Sequence, residues 1–149
     1  YRQRYTDIGI WENKVYPGMM ELLGLLKLKG FRLGMCTAKP EVFALRIAEH
    51  FGFNDFLVDV TGCSLDGKTD NKALVVAESL RKWGLVTPEQ KATVALVGDR
   101  REDVLAAHAN GIACIGVGFG FESPGELKEA GCEHYAKTMA DLKKLLLAE

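Results

Sequence analysis

The chain has 149 residues, 48% of them apolar and 26% charged, with a formal net charge of −1. That is the size and make-up of a single soluble globular domain with a real core. It excludes a nucleic-acid or anionic-membrane partner recruited by bulk charge, and the apolar runs are too short to span a bilayer.

The first residues, Tyr1-Arg2-Gln3-Arg4-Tyr5, are polar and do not resemble a signal peptide. The chain does not begin with Met, so the sequence is expected to be processed or part of something longer. Pro17 opens an apolar periodic segment through Met20, Leu22, Leu23, Leu25, Leu26 and Leu28, and Gly30 closes it, which predicts a helix. Phe31 to Cys36 reads as a short buried strand. Pro40 opens a second helix that ends before Gly52. Phe56 to Val60 is a strand, and Asp59 within it points to a position near a sheet edge. After a polar loop over 63–70, with Asp70 as helix cap, Asn71 to Trp83 is helical.

Thr93 to Val97 carries the clearest strand signal, followed by a helix over Arg101 to Asn110. Ile112 to Val117 is another strand, and 118–124 a glycine-rich loop. Glu126 to Ala130, His134 to Ala136 and Ala140 to Leu147 read as short helix, short strand and closing helix. Strands alternating with helices imply a Rossmann-like three-layer α/β sandwich, a mostly parallel sheet with helices on both faces. The strand ends at Thr37, Gly62, Asp99 and Gly118 then share one rim, where open α/β sheets bind ligands.

Three features at that rim carry chemistry. Gly98-Asp99-Arg100-Arg101-Glu102-Asp103 follows a buried strand and opens a helix, placing two carboxylates one helical turn apart. Hard paired oxygens suit Mg²⁺, but Asp99 as helix N-cap with Glu102 and Asp103 on the helix dipole is an equal alternative. Thr37-Ala38-Lys39 offers a hydroxyl and backbone N–H groups beside a helix start, a seat for phosphate or merely a closed turn. Lys72 stands in the first turn of a helix, where the dipole disfavours a cation unless an anion is near. Gly116 to Phe121 matches no dinucleotide fingerprint and reads as a loop whose glycines let backbone approach closely. His50, His108 and His134 are scattered, and no Ser-His-Asp or Cys-His arrangement is visible. Cys36, Cys63, Cys114 and Cys132 have no metal-binding spacing and read as reduced thiols of a cytoplasmic protein.

In order along the chain, Met35-Cys36-Thr37-Ala38-Lys39-Pro40, Lys72 after Ser64-Leu65-Asp66-Gly67, and Gly98-Asp99-Arg100-Arg101-Glu102-Asp103 resemble the second, third and fourth motifs of haloacid dehalogenase-like hydrolases. Tyr16-Pro17-Gly18-Met19 and Gly116 to Gly120 resemble the phosphoglycolate-phosphatase-like branch. The resemblance covers residues 12 to 149. It implies Mg²⁺-dependent hydrolysis of a small phosphomonoester such as phosphoglycolate or a nucleotide. Thr37, Ala38 and Lys39 would hold the phosphoryl oxygens, Lys72 would be the catalytic cation, and Asp99 and Asp103 would serve the metal.

The family's first motif, an Asp-x-Asp after the first strand, has no counterpart here. The expectation is therefore a partial core over 16–149, preceded by a residual cap or linker segment over 1–15, and a chain inactive alone. The family's first strand lies mid-sheet. Without it the two inner edges are expected to pair with each other, or with a second copy by strand exchange. The competing expectation is a non-catalytic phosphate-binding or protein-interaction module on the same scaffold.

Overall fold

A computed structural model describes residues 2–5, 18–64, 71–120 and 123–147, with residues 2–5 described as backbone only. Its elements in chain order are β1 (Arg2–Tyr5), α1 (Met19–Leu28), β2 (Leu33–Pro40), α2 (Glu41–His50) and β3 (Asp59–Cys63). There follow α3 (Lys72–Lys82), α4 (Pro88–Lys91), β4 (Ala95–Gly98), α5 (Arg101–Ala109), β5 (Ala113–Val117), α6 (Glu126–Ala130), β6 (His134–Ala136) and α7 (Met139–Leu147). The strands form one six-stranded sheet in the order β3-β2-β1-β4-β5-β6, every pair parallel. This is the doubly wound order, with its reversal of winding between β1 and β4.

Alternation along the strands feeds two cores. Leu33, Met35, Ala95, Val97, Ile115 and Val117 face one layer with Leu22, Leu23 and Leu26 of α1 and Leu142 and Leu146 of α7. Cys36, Leu96 and Cys114 face the other, against Val75, Val76 and Leu80 of α3, Val104 and Ala107 of α5, and Leu127 of α6. Two buried faces explain why these strands read as near-continuous apolar runs. No described helix is long and apolar enough to cross a membrane.

Three departures from the sequence reading have physical causes. The strand expected over Phe56 to Val60 lies further on, at Asp59–Cys63, because a 3₁₀ turn over Phe53–Asp55 buries Phe53 first. Asp59 does sit on the edge strand, where it accepts from Thr61 Oγ1 at 2.9 Å and pairs with Lys82 Nζ at 2.9 Å. The short helix α4 has too few apolar residues for a periodic signal. Its marker is a capping box, Thr87 accepting from the Gln90 N–H while Gln90 accepts from the Thr87 N–H.

The largest departure concerns the mid-sheet slot. The two inner edges, β2 and β4, do not pair with each other; each pairs with β1, and no exchanged strand is required. Residues 2–5, assigned from sequence to a residual cap or linker, thus run as a core strand. Two rows of inner-edge N–H and C=O groups need partners, and a polar tetrapeptide supplies them as well as an apolar one. The Asp-x-Asp strand itself remains missing, since Arg2-Gln3-Arg4-Tyr5 carries no carboxylate. Residues 6–17, including Pro17, and the loop over 65–70 with Asp66 and Asp70, lie outside the described residues.

Candidate active site

Register brings the rim together. Arg4 is level with Met35 on one side and Val97 on the other, so Thr37 and Asp99, two residues further on, emerge at one height. Cys36 is level with Thr61, and Gly98 with Gly116. Thr37, Thr61, Asp99, Asp103 and Lys72 are all buried polar side chains. Buried polar groups require hydrogen bonds or charge partners, and those partners define the site.

The two carboxylates of the Gly-Asp-x-x-x-Asp turn have different tasks. The N-cap of α5 is Arg100, not Asp99. Asp103, at the third helical position, folds back so that its Oδ2 accepts from the N–H of Asp99 at 3.1 Å and of Arg100 at 3.2 Å. Capping therefore falls to Asp103, and Asp99 is held at the strand end as a carboxylate only 1% exposed. Two glycines permit this packing. A Cβ on Gly98 would overlap the Asp103 carboxylate, and one on Gly120 would lie 2.5 Å from Asp99 Oδ2. Close approach of the 116–121 loop, expected from its glycines, is realised at Gly120.

Lys72 ties the motifs together. Its Nζ lies 3.1 Å from Asp103 Oδ1 and donates to the Cys36 carbonyl at 3.1 Å. One ammonium thus bridges the last residue before Thr37 and the turn that presents Asp99. The unfavourable dipole at the start of α3 is offset by that carboxylate. Burial pushes Lys72 below its ordinary value, against the attraction of Asp103. Burial also pushes Asp103 up, against Lys72 and the two N–H donors. The helix is capped by Asn71 rather than Asp70: Asn71 Oδ1 accepts from the Leu74 N–H at 2.9 Å.

Thr37 Oγ1 accepts from the Lys39 N–H at 3.2 Å, which closes the turn after β2. Thr37 is buried, Ala38 exposed and Lys39 half-buried. Cys36, beside Thr37, is no thiolate: burial raises its pKa, and it raises that of Cys114 too. All four cysteines are free thiols. His50 and His108 close the last turns of α2 and α5, and His134 begins β6, so all three lie at the end of the sheet opposite the rim.

Sequence reasoning missed Glu126. Its carboxylate accepts from the backbone N–H of Arg101 and from the Ser123 N–H at 3.0 Å, and it binds Arg100 Nε at 3.2 Å. A contact spanning 25 residues leaves no local signal in spacing or periodicity.

The chain is similar to known proteins over nearly its whole length. A family model described as haloacid dehalogenase-like hydrolase matches residues 1–111. A 5'-nucleotidase of Pseudomonas aeruginosa is 39% identical over 146 residues, 98% of this chain and 64% of that protein. A phosphoglycolate phosphatase of Chromobacterium violaceum is 34% identical, over 97% of this chain and 62% of that protein. The crystal structure of a predicted phosphatase from Clostridium acetobutylicum superposes with a TM-score of 0.84 at 37% identity, covering 93% of this chain and 62% of that one. The chain thus spans a little under two thirds of the length of these relatives.

Proposed function

The chain belongs to the haloacid dehalogenase-like hydrolases, and from that premise we propose that it forms most of the core of a phosphatase acting on small phosphomonoesters. The observation that carries the proposal is the Lys72 bridge. A single buried ammonium lies within 3.1 Å of both the Cys36 carbonyl and Asp103, and so joins the Thr37 turn to the Asp99 turn. Phosphoryl transfer needs cations and N–H donors gathered around the transferring group, and little else from the protein but positioning. In this reading the Thr37 hydroxyl and the N–H of Ala38 seat the phosphoryl oxygens, and the Lys39 N–H, which donates to Thr37 Oγ1, orients that hydroxyl. Lys72 opposes the charge on that group, and Asp103 holds Lys72 in place. Phosphoglycolate and nucleotides are the substrate types borne in the names of the relatives.

The family resemblance implies Mg²⁺. The donor set is right in kind, since Asp99 presents a hard carboxylate at a strand end. It is short in number. Asp103 spends both oxygens on two backbone N–H groups and Lys72, and no group of three metal-ligating side chains exists among the described residues. These residues therefore supply part of a Mg²⁺ site, Asp99 foremost, and do not complete one.

Nor does the sequence hold the Asp-x-Asp pair that the family uses for nucleophile and proton transfer. Hydrolysis of p-nitrophenyl phosphate by these 149 residues, with Mg²⁺ present, is the test. No turnover above background is expected. Clear turnover that Asp99→Asn abolishes would overturn the assignment of roles, because a nucleophile would then exist within these residues.

A further inference from the structure

The Asp99 turn is bracketed from two sides. Asp103 and Lys72 hold it from within. On the other side stands Glu126, the first residue of α6, whose side chain is 13% exposed. We propose that Glu126 is a positioning residue for Asp99: its carboxylate pins the first N–H of α5 and holds the Arg100 guanidinium. This rests on the phosphatase reading for the task it gives Asp99, but not for the clamp itself.

The first N–H groups of a helix have no partner within it. Asp103 satisfies the N–H of Asp99 and Arg100, the two residues before α5. The N–H of Arg101, the first helical residue, is satisfied by Glu126 Oε2, from a segment 25 residues away. The same carboxylate accepts from Ser123 through Oε1, which fixes the start of α6 against the turn. One side chain thus fastens two chain segments around the rim.

Glu126 also acts electrostatically. Arg100 follows Asp99 in the chain, and its guanidinium feels the Asp99 charge. Arginine–carboxylate pairing is strong and geometrically specific. Arg100 instead places Nε 3.2 Å from Glu126 Oε2, with its side chain 47% exposed. Glu126 is the stronger anionic partner of Arg100, ahead of Asp99, and so competes with Asp99 for that guanidinium. The groove beside this clamp is lined by Arg101, Ser123, Pro124, Glu126 and Glu129.

Amide hydrogen exchange by NMR on the 149-residue chain tests the clamp without reference to turnover. In Glu126→Ala, exchange at Arg101 and Ser123 should rise by about tenfold, the loss of one charge-assisted hydrogen bond each. Core amides such as Leu96 and Val76 should not change. Glu126→Gln keeps an acceptor oxygen but no charge. It should retain most of the protection at Arg101 while losing the slowed exchange of the Arg100 Nε–H. A merely structural role would move the core amides along with the turn and would not separate Gln from Ala. Unchanged exchange at Arg101 in Glu126→Ala, an equal rise at Leu96, or Gln behaving as Ala would overturn the proposal. Absence of phosphatase chemistry would leave these amide readouts untouched, so the two failures are distinguishable.

Discussion

Lys72 is where charge, burial and geometry meet. Its pair with Asp103 is 8% and 2% exposed, so neither partner is well solvated. Removing one partner of a buried pair leaves the other's charge uncompensated, at about 3–5 kcal/mol. Asp103→Ala should therefore destabilise the fold by about that amount, because it strands Lys72 and also frees two backbone N–H groups. The double variant Lys72→Met with Asp103→Leu should recover part of the loss in urea denaturation. Additive costs would show that the pair is not coupled. At Gly120 the mechanism is steric. A methyl group would lie 2.5 Å from Asp99 Oδ2, and Gly120→Ala should cost about 1–3 kcal/mol by the same measurement. The roles of Asp99 and Asp103 were not separable in the sequence. Both stand where a strand gives way to a helix, and only the fold shows that Arg100 is the cap, that Asp99 precedes it and that Asp103 is the residue that folds back.

At the scale of elements, the turn between β4 and α5 is held from α6 as well as from α3. Burial alone would raise Glu126, but the N–H groups of Arg101 and Ser123 and the Arg100 guanidinium together hold it below the usual glutamate value. A carboxyl held low in the fold adds stability that is complete above the ordinary glutamate value. That stability is lost as pH falls through the lower, folded one. Unfolding free energy should therefore drop on acidification below about pH 4.3, and less steeply in Glu126→Gln than in the parent chain. An identical slope in both would remove Glu126 from the account. Elements with strong apolar periodicity, α1, α3 and α5, were legible to within a residue or two. So were β5, α6 and β6. The four-residue α4 was not, because only its capping box marks it, and β3 shifted because Phe53 took the buried place ahead of it.

The whole molecule is a doubly wound sheet with a core on each face, and the alternation of strand and helix made that architecture readable. Leu96, fully buried on β4 against α3 and α5, shows what the sheet contributes. Leu96→Ala should destabilise by about 2–5 kcal/mol in denaturant unfolding. What the sequence could not reveal was the occupant of the central slot. Arg2-Gln3-Arg4-Tyr5 has neither apolar alternation nor a turn signal, and it becomes a strand because two open edges demand partners on both sides. The slot matters because the resemblance implies a nucleophilic aspartate at the end of a mid-sheet strand, and Arg2-Gln3-Arg4-Tyr5 carries none.

We propose that Thr37, Lys72 and Asp99 form one phosphoryl-transfer site in need of a nucleophile. The most direct test supplies that nucleophile: a strand ending in Asp-x-Asp is joined to the chain in place of Arg2-Gln3-Arg4-Tyr5, which holds the central slot, and Mg²⁺-dependent hydrolysis of p-nitrophenyl phosphate is measured. Turnover is expected in the joined protein, with a fall of about a thousandfold in kcat on Lys72→Met and the fold intact by circular dichroism. A folded joined protein without turnover, or one whose turnover is indifferent to Lys72, would contradict it.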